Sequence, residues 1–288
     1  MVVNIRYYSP LRYPGGKGRL TDFMEIIIKK NNLENGIYIE PYAGGAGMAL
    51  KLLMNGIVSK IIINDLSKSI YSFWYSILNY NEEFCNKVKD IPVNIEMWKK
   101  QREIQSNKDK TSLFELGFST FYLNRCNRSG ILTGGVIGGL KQEGNWKIDA
   151  RFNKENLLKR IKIIGKFKEN ILLYNKDASV FIEENLSDMN DNNLVYLDPP
   201  YYQKGKKLYE NYYDKSDHEH LAEQIKNISQ YWVLTYDNVE KIVELYNDCK
   251  YIFYSLNYSA KKKYKGSEIM IFCDRLNIPD IENPVKVE

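Results

Sequence analysis

A short acidic turn, Asp198-Pro199-Pro200-Tyr201, follows the apolar, strand-length segment 194–197. Because proline lacks the amide donor that a strand ladder needs, the predicted strand ends at the aspartate and a stiff turn follows. The turn offers a carboxylate, backbone carbonyls and an aromatic ring, which suit an amino group on a flat ring. Acceptors placed for the two N–H bonds of that group would stabilise the positive charge that develops when its nitrogen attacks an electrophile. An ordinary turn with a capping acid explains the same four residues, so other motifs must decide.

A glycine-rich segment, 41–47, lies between a predicted strand at 37–40 and a helical pattern. A strand, a tight glycine turn and a helix form the first unit of nucleotide-binding α/β folds. Leu50 occupies the place of the third glycine of a dinucleotide fingerprint, so a dinucleotide is disfavoured. The pattern favours a nucleoside cofactor, although helix packing alone would also explain the glycines.

The next predicted strand, 60–64, ends in Asp65, about 25 positions after Glu40. An acid at the end of the second strand is where the ribose diol of a bound nucleoside usually lies. Upstream, the segment 9–19 combines glycines with Lys17 and allows a backbone and a cation to approach a ligand closely. These features strengthen the prediction of a nucleoside site at the carboxyl ends of the first strands.

The 288-residue chain has 44% apolar and 27% charged residues, the composition of a globular protein. It has no apolar run near the ~20 residues of a membrane helix and no signal-peptide layout, so a cytoplasmic location is expected. Its 4 cysteines include no Cys-x-x-Cys pair and it has only 2 histidines, so free thiols and no metal site are expected.

The positive charge is concentrated in the middle of the chain. Residues 67–165 carry a net charge of +7, whereas residues 1–66 carry +3 and residues 166–288 carry −5. The strand pattern lapses over the middle segment, where helices are predicted at 69–78, 81–89 and 95–105. About 100 residues between two strands of one sheet are too many for a simple connection. We therefore expect an inserted subdomain that meets a polyanion, with a solvated charged surface as the alternative.

Within that segment, residues 121–131 read as a loop rich in polar and basic side chains. It contains Asn124-Arg125-Cys126-Asn127-Arg128-Ser129-Gly130 and is followed by glycine pairs at 134–135 and 138–139. Such side chains beside flexible glycines suit contacts with a nucleic-acid backbone or with base edges.

The α/β alternation resumes after residue 165. Strands are predicted at 170–174 (ending near Asp177), 194–198, 231–235, 251–255 and 268–272. Ser216 and Glu219 predict a capping box for a helix through about residue 230, with His218 and His220 at the protein surface. Lysines at 204, 206 and 207 and at 261–263 and 265 could neutralise phosphates near the acidic turn, although each group alone is typical of a solvated loop.

Taken in order, these motifs resemble those of Dam-like, α-group DNA adenine methyltransferases over nearly the whole chain. The matching stretches are 11–17, 39–47, Asn64-Asp65, 124–130 and 198–201. The resemblance implies an α/β fold with a class I methyltransferase-type, Rossmann-like mixed sheet and an inserted, mainly helical target-recognition subdomain. Residues 1–66 and 166–288 would form the catalytic domain, and residues 67–165 the DNA-binding subdomain.

By this resemblance the cofactor is S-adenosyl-L-methionine and no metal is needed. Asp65 would bind the ribose, and Asp177 would lie near the adenine of the cofactor. The cofactor-binding residues implied are Tyr13, Gly16, Lys17, Glu40, Pro41, Tyr42, Ala43, Gly44, Gly45, Gly47, Asp65, Asp177 and Asp198. The catalytic residues implied are Asp198, Pro199, Pro200 and Tyr201. The expected DNA-binding residues are Asn124, Arg125, Asn127, Arg128, Ser129, Gly130 and Lys141.

The implied activity is site-specific methylation of the 6-amino group of an adenine flipped out of double-stranded DNA. We expect a monomer that needs no membrane, and a cognate restriction endonuclease is a candidate partner. The 124–131 loop departs from the aromatic, Asn-Gly-type version of GATC-specific members, so the target sequence stays open. The alternatives are a related methyltransferase acting on RNA adenine, on cytosine or on a protein glutamine amide, and a non-catalytic DNA-binding relative.

Overall fold

The computed structural model describes residues 8–12, 17–202, 213–258, 264–281 and 283–287. Its centre is a 7-stranded sheet in the order β3-β2-β1-β4-β5-β7-β6. The strands are β1 Ile37–Glu40, β2 Lys60–Asn64, β3 Ile171–Tyr174, β4 Leu194–Leu197, β5 Tyr231–Asp237, β6 Lys250–Tyr258 and β7 Tyr264–Phe272. Strands β1 to β5 pair in parallel, and β7 runs antiparallel to both β5 and β6. This is the predicted class I methyltransferase-type mixed sheet.

Helices cover the sheet and form much of the segment between β2 and β3. They are α1 Thr21–Lys30, α2 Gly47–Met54, α3 Lys68–Asn79, α4 Asn81–Asp90, α5 Ile95–Ser106, α6 Leu113–Cys126, α7 Lys154–Lys166, α8 Ala178–Phe181, α9 Lys215–Lys226 and α10 Glu240–Leu245. Short 3₁₀ turns lie at Gly18–Leu20, Arg128–Gly130 and Lys168–Asn170, and a π-helical turn at Ile182–Leu186 extends α8.

The central strands read as nearly continuous apolar runs because helices cover both faces of a parallel sheet. All four residues of β4 are buried, and so are four of the five residues of β2. Parallel strands end at a common edge, which brings Glu40, Asn64 and Asp198 to the same side of the sheet. The strand order reverses between β1 and β4, where open α/β sheets place their ligands.

Between β2 and β3 lie helices α3 to α7, which share an aromatic core, and a stretch of turns and loops at residues 131–153. The rings of Phe73 and Phe121 stack at 6.0 Å, and Phe84 packs against Phe118 at 5.4 Å. The layer also contacts the glycine segment, since Trp74 Nε1 donates to the Gly44 carbonyl at 3.0 Å. Its role as a separate DNA-binding subdomain remains a prediction.

Two helices of this layer, α6 and α7, were not predicted from the sequence, and the loop expected from residue 121 is helical through Cys126. Helix α6 is buried on nearly all sides, so its polar and apolar residues do not separate into two faces. Its start does carry a local signal, because the Ser112 side chain accepts the Glu115 N–H at 3.3 Å.

Helix α9 begins at Lys215 and ends at Lys226, so the predicted capping box was wrong by two residues and the predicted end by four. Asp214 caps the helix, and Asp217 returns a hydrogen bond to the Asp214 amide. An aspartate at either position completes the same reciprocal cap as a serine and glutamate pair.

The four cysteines are free thiols, as predicted. In the described ranges, no cluster of three or more His, Cys, Asp or Glu side chains could hold a metal ion. No helix in those ranges is long and apolar enough to cross a bilayer.

Candidate active site

Asp198 stands directly after β4, and the described residues fix one of its carboxylate oxygens but not the other. Its Oδ1 accepts hydrogen bonds from Lys17 Nζ at 2.6 Å and from Thr235 Oγ1 at 3.0 Å. Among the described residues no donor contacts Oδ2, and the side chain is 20% exposed. The carboxylate is therefore held in one orientation with an acceptor left over for a ligand.

Lys17 is the buried cation of this site. Its side chain is 3% exposed, and its ammonium lies 3.6 Å from Glu268 Oε2 and 3.3 Å from the Tyr201 hydroxyl. Burial by itself lowers the pKa of this lysine, but the nearby acids, Asp198 first, outweigh that effect and raise the pKa above its ordinary value. The ammonium therefore stays charged beside Asp198.

Glu268, on β7, is the second acid that lies beside Lys17. Its Oε1 accepts the Tyr201 hydroxyl and its Oε2 the Tyr254 hydroxyl, both at 2.5 Å. Burial raises the pKa of Glu268, and the charge of Lys17 and the two tyrosine donors oppose that rise. Neither Glu268 nor Thr235 was predicted from the sequence as a site residue. A glutamate inside the otherwise apolar strand end 268–272 was the available signal, because a charge is rarely buried without a partner.

The rest of the acidic turn is packed firmly into the protein. Tyr201 is 5% exposed, and the ammonium of Lys17 lies 5.3 Å from the centre of its ring. Pro199 is buried and Pro200 half-buried. The amide of Tyr202 donates to Asp237 Oδ1 at 3.0 Å, which ties the turn to the end of β5. Stacking of Tyr201 on a base remains a prediction.

The glycine segment meets the acid at the end of β2, as the motif spacing predicted. Asp65 Oδ2 accepts the Gly44 N–H at 2.8 Å, and its Oδ1 accepts the Ser67 N–H at 2.9 Å. Burial raises the pKa of Asp65 to about 6. Glu40 is also buried, which raises its pKa to about 8, and its Oε1 accepts the Ala49 N–H of α2 at 3.2 Å.

Asn64 joins the glycine segment to the loop that carries Asp177. Its Nδ2 donates to the carbonyls of Pro41 at 2.9 Å and Lys176 at 3.0 Å, and its Oδ1 accepts the Lys176 N–H at 2.9 Å. Asp177 accepts the Ser179 N–H at 2.9 Å and so caps α8. Tyr42 follows Pro41 in the glycine segment, and its hydroxyl lies 3.0 Å from the hydroxyl of Tyr213.

The glycine segment, Asp65 and the loop of Asp177 together are here called the cradle, where the sequence predicts a nucleoside. A Cβ built on Gly47 would meet nothing within 4 Å, so space opens beside the first turn of α2. Asp65 is half-buried, and each of its carboxylate oxygens, besides the backbone N–H that it already accepts, has a second lone pair that could accept a ribose hydroxyl. Lys17, by contrast, contacts Asp198 rather than the cradle, while Tyr13 and Gly16 lie outside the described residues.

His218 is buried, so its predicted surface position was wrong, whereas His220 is exposed as predicted. His218 shares a helical face with Leu221, Ala222 and Ile225, the i, i+3, i+4 and i+7 positions of α9. Its Nδ1 lies 2.8 Å from the Tyr236 hydroxyl, and burial lowers its pKa, which favours the neutral ring.

Two asparagines predicted to contact DNA are buried and fully engaged within the protein. Asn124 accepts the Arg12 N–H at 2.7 Å and donates to the carbonyls of Arg12 at 2.7 Å and Gly130 at 2.9 Å. Asn127 accepts Trp98 Nε1 at 2.7 Å and donates to two carbonyls of its own loop at 2.9 Å. Gly130 has φ of 78°, and a Cβ there would lie 2.5 Å from the Arg12 carbonyl.

The basic residues of the predicted DNA-binding set divide into two groups. Arg125 is half-buried and its Nε donates to the Arg151 carbonyl at 2.7 Å. Burial, with the charges of nearby arginines (Arg12 first), lowers the pKa of Arg125 to about 9. Arg128, Ser129 and Lys141 are exposed. The lysines predicted at 204–207 and 261–263 lie outside the described residues.

The chain matches a family model described as D12 class N6 adenine-specific DNA methyltransferase over residues 13–263. It is 23% identical over 204 residues to the type II methyltransferase M.MjaIII of Methanocaldococcus jannaschii, covering 66% of this chain and 68% of that one. Among solved structures, PH1948 of Pyrococcus horikoshii, assigned as an RNA methyltransferase, aligns with a TM-score of 0.44 at 10% identity over 91% of this chain and 86% of that one. A SAM-dependent methyltransferase from Agrobacterium tumefaciens aligns with a TM-score of 0.38 at 11% identity over 87% and 62%.

Proposed function

The chain belongs to the D12 class N6 adenine-specific DNA methyltransferase family, and we propose that it methylates the 6-amino group of an adenine flipped out of a specific duplex sequence. S-adenosyl-L-methionine is the proposed methyl donor. The observation that carries the proposal is the acid of the 198–201 turn, which is fixed through Oδ1 and keeps Oδ2 as an acceptor. The cradle around Asp65 lies at the same edge of the sheet.

The residues of the turn would activate a weak nucleophile. The lone pair of an exocyclic amino group on adenine is delocalised into the ring, and an acceptor for its N–H bonds favours a pyramidal nitrogen. Oδ2 of Asp198 would accept one of these N–H bonds, and a carbonyl of the turn would accept the other. Because Lys17 and Thr235 already fix Oδ1, little reorganisation is needed when charge develops on the nitrogen.

When bound in the cradle, S-adenosyl-L-methionine would supply a methyl group activated by its sulfonium. Asp65 would hold the ribose diol, and the loop joined by Asn64 would place Asp177 near the adenine ring of the cofactor. The surplus proton on the methylated nitrogen would leave by way of Asp198 Oδ2 to water. Extrusion of the target base requires a few kcal/mol of unstacking, which stacking in the pocket and backbone contacts offset.

We assign DNA binding to residues 67–165. Support comes from their net charge of +7 and from the exposure of Arg128, Ser129 and Lys141 on one stretch of chain. Asn124, Asn127 and Gly130 would act by shaping the loop, since their polar groups are engaged within it. The type II methyltransferase relative supports a site-specific enzyme of a restriction–modification pair. We also propose that it acts in the cytoplasm as a monomer.

A panel of acceptors tests this function directly. We expect label from S-adenosyl-L-methionine to transfer to double-stranded plasmid DNA, with N6-methyladenine as the product after hydrolysis. RNA and protein acceptors of matched concentration should stay unlabelled. Sequencing the modified bases would then give the recognition sequence. Label on RNA, cytosine or a protein amide, or on nothing while DNA still binds, would overturn the proposal in favour of the corresponding alternative.

The exposed basic residues should set the salt dependence of DNA binding. We expect Arg128→Gln with Lys141→Gln to weaken binding and to reduce the slope of log K against log salt by about 0.9 for each phosphate that is no longer neutralised. Fluorescence anisotropy over a salt series with a methylatable duplex measures the slope.

Lys60→Gln is the matched control, because Lys60 is exposed at the opposite, amino end of β2. It should leave the slope unchanged. A double variant with the wild-type slope would show that these two side chains do not meet the DNA backbone.

A further inference from the structure

The loop between Ile137 and Ile148 exposes two large apolar side chains. Trp146 is 71% exposed and Leu140 60%, the two highest values among large apolar residues of the described ranges. Of the other three tryptophans, Trp74 and Trp232 are buried, and Trp98 donates a hydrogen bond to Asn127. An exposed apolar residue on its own needs no explanation, but two of the most exposed in one loop indicate an interaction site.

The backbone of this loop is held by one side chain at its centre. Gln142 Nε2 donates to the carbonyls of Ile137 at 2.8 Å and Gly139 at 2.6 Å, and its Oε1 accepts the Ile148 N–H at 2.8 Å. Gly138 has φ of 84°, and a Cβ there would lie 2.7 Å from the Trp146 carbonyl. The loop is therefore a fixed platform that presents Trp146 and Leu140 to solvent.

The platform is hydrogen-bonded to the predicted recognition loop at the end of α6. Ile137 donates its N–H to the Cys126 carbonyl at 2.9 Å, and Asn127 forms a β-bridge with Val136. Asn124, in the last turn of α6, forms hydrogen bonds with the backbone of Arg12, five residues before Lys17 in the sequence. The platform and the predicted recognition loop are therefore held together by backbone hydrogen bonds.

We propose that Trp146 and Leu140 form an apolar wedge that stacks on a base at an opened step of duplex DNA. This inference rests on the proposed function and names a contact that it does not contain. The faces of bases are the flat apolar surfaces that DNA offers once a step is opened, and proteins that kink or open DNA insert apolar side chains there.

The size and charge of the surface favour DNA over a protein partner. A stable protein interface buries roughly 800 Å² on each side, far more than one tryptophan and one leucine can supply. Lys141 and Lys147 follow Leu140 and Trp146 directly in the sequence and are exposed, and the only acid between them in the sequence, Glu143, is also exposed. The surrounding segment 67–165 is the part of the chain with the largest positive charge.

The test uses the tryptophan itself as a probe. Because Trp146 is the one tryptophan of the described residues that is largely exposed, titration with a plasmid-derived duplex should quench its emission and shield it from iodide. Trp146→Ala should remove that quenching and weaken DNA binding by about 5- to 150-fold, the range expected when one base is no longer stacked. Trp146→Phe should retain most of the affinity, and the salt slope should be unchanged in both variants because the same phosphates stay neutralised.

Phe253→Ala serves as the control, because Phe253 is 49% exposed on the edge strand β6. It should bind DNA like the wild type. Wild-type affinity for Trp146→Ala, together with emission that DNA does not shield in the unmodified protein, would overturn the wedge, even if methyl transfer to DNA is normal. Absence of methyl transfer by the wild-type protein would instead overturn the proposed function, while the quenching result still decides whether Trp146 contacts DNA.

Discussion

Replacement of Asp198 by alanine is expected to abolish methyl transfer while cofactor binding stays nearly intact. The carboxylate stands at the end of β4 as an acceptor that is fixed by the protein through one oxygen and open to a ligand through the other. Removal of one pre-placed group that stabilises developing charge lowers turnover by about 10²–10³-fold, and the nucleophile's orientation is disturbed as well. Single-turnover methylation of DNA with labelled cofactor measures the effect.

Asp198→Asn separates the two contributions of this side chain. The amide keeps an oxygen that can accept a hydrogen bond, but it removes the negative charge that faces Lys17 and the reacting nitrogen. We expect its rate to lie between those of the wild type and Asp198→Ala. Cofactor affinity by calorimetry should change little in both variants, since Asp65 and the glycine segment remain. Normal turnover by Asp198→Ala would rule out the assigned chemistry.

The position of this acid could be predicted from the sequence because its causes are local. Leu194–Leu197 is a buried apolar run, and two prolines must end the strand that it forms. The glycine segment and Asp65 follow the same logic, since each ends a strand and parallel strands end at one edge. The contact between these two segments, in which Asp65 accepts the Gly44 N–H, could therefore be expected without knowledge of distant contacts.

The partners of Asp198 could not be predicted because they arrive from far along the chain. The motif around Lys17 predicts a cofactor contact, and the sequence around Glu268 predicts only a strand. In the fold, β7 lies beside β5, and Glu268 on β7 comes close to the ammonium of Lys17. Asn124 and Asn127 show a different limit. An amide that can read a base edge can equally bond backbone carbonyls, and only the fold reveals that these two are engaged.

Lys17 should prove as necessary as Asp198, for reasons of both stability and chemistry. It is the buried cation between two carboxylates, with 3% of its side chain exposed against 1% for Glu268. Removal of one member of a buried charged cluster leaves the others without compensation, which typically destabilises a protein by about 3–5 kcal/mol. Lys17→Met keeps the length of the side chain and removes its charge, so the variant should unfold more easily in denaturant and should also lose turnover.

The second substitution Glu268→Gln distinguishes these two effects. In Lys17→Met the cation no longer opposes the rise in the pKa of Glu268, so the buried acid should bind a proton when the protein folds. A folded-state pKa above the unfolded value gives stability that is present at low pH and lost as pH rises through the folded pKa. Denaturant unfolding of Lys17→Met should therefore show a midpoint that falls with rising pH, and adding Glu268→Gln should flatten that dependence and recover part of the midpoint.

Turnover should remain absent in the double variant, because Oδ1 of Asp198 still lacks its ammonium donor. Recovery of turnover together with stability would show that Lys17 acts only as a structural cation.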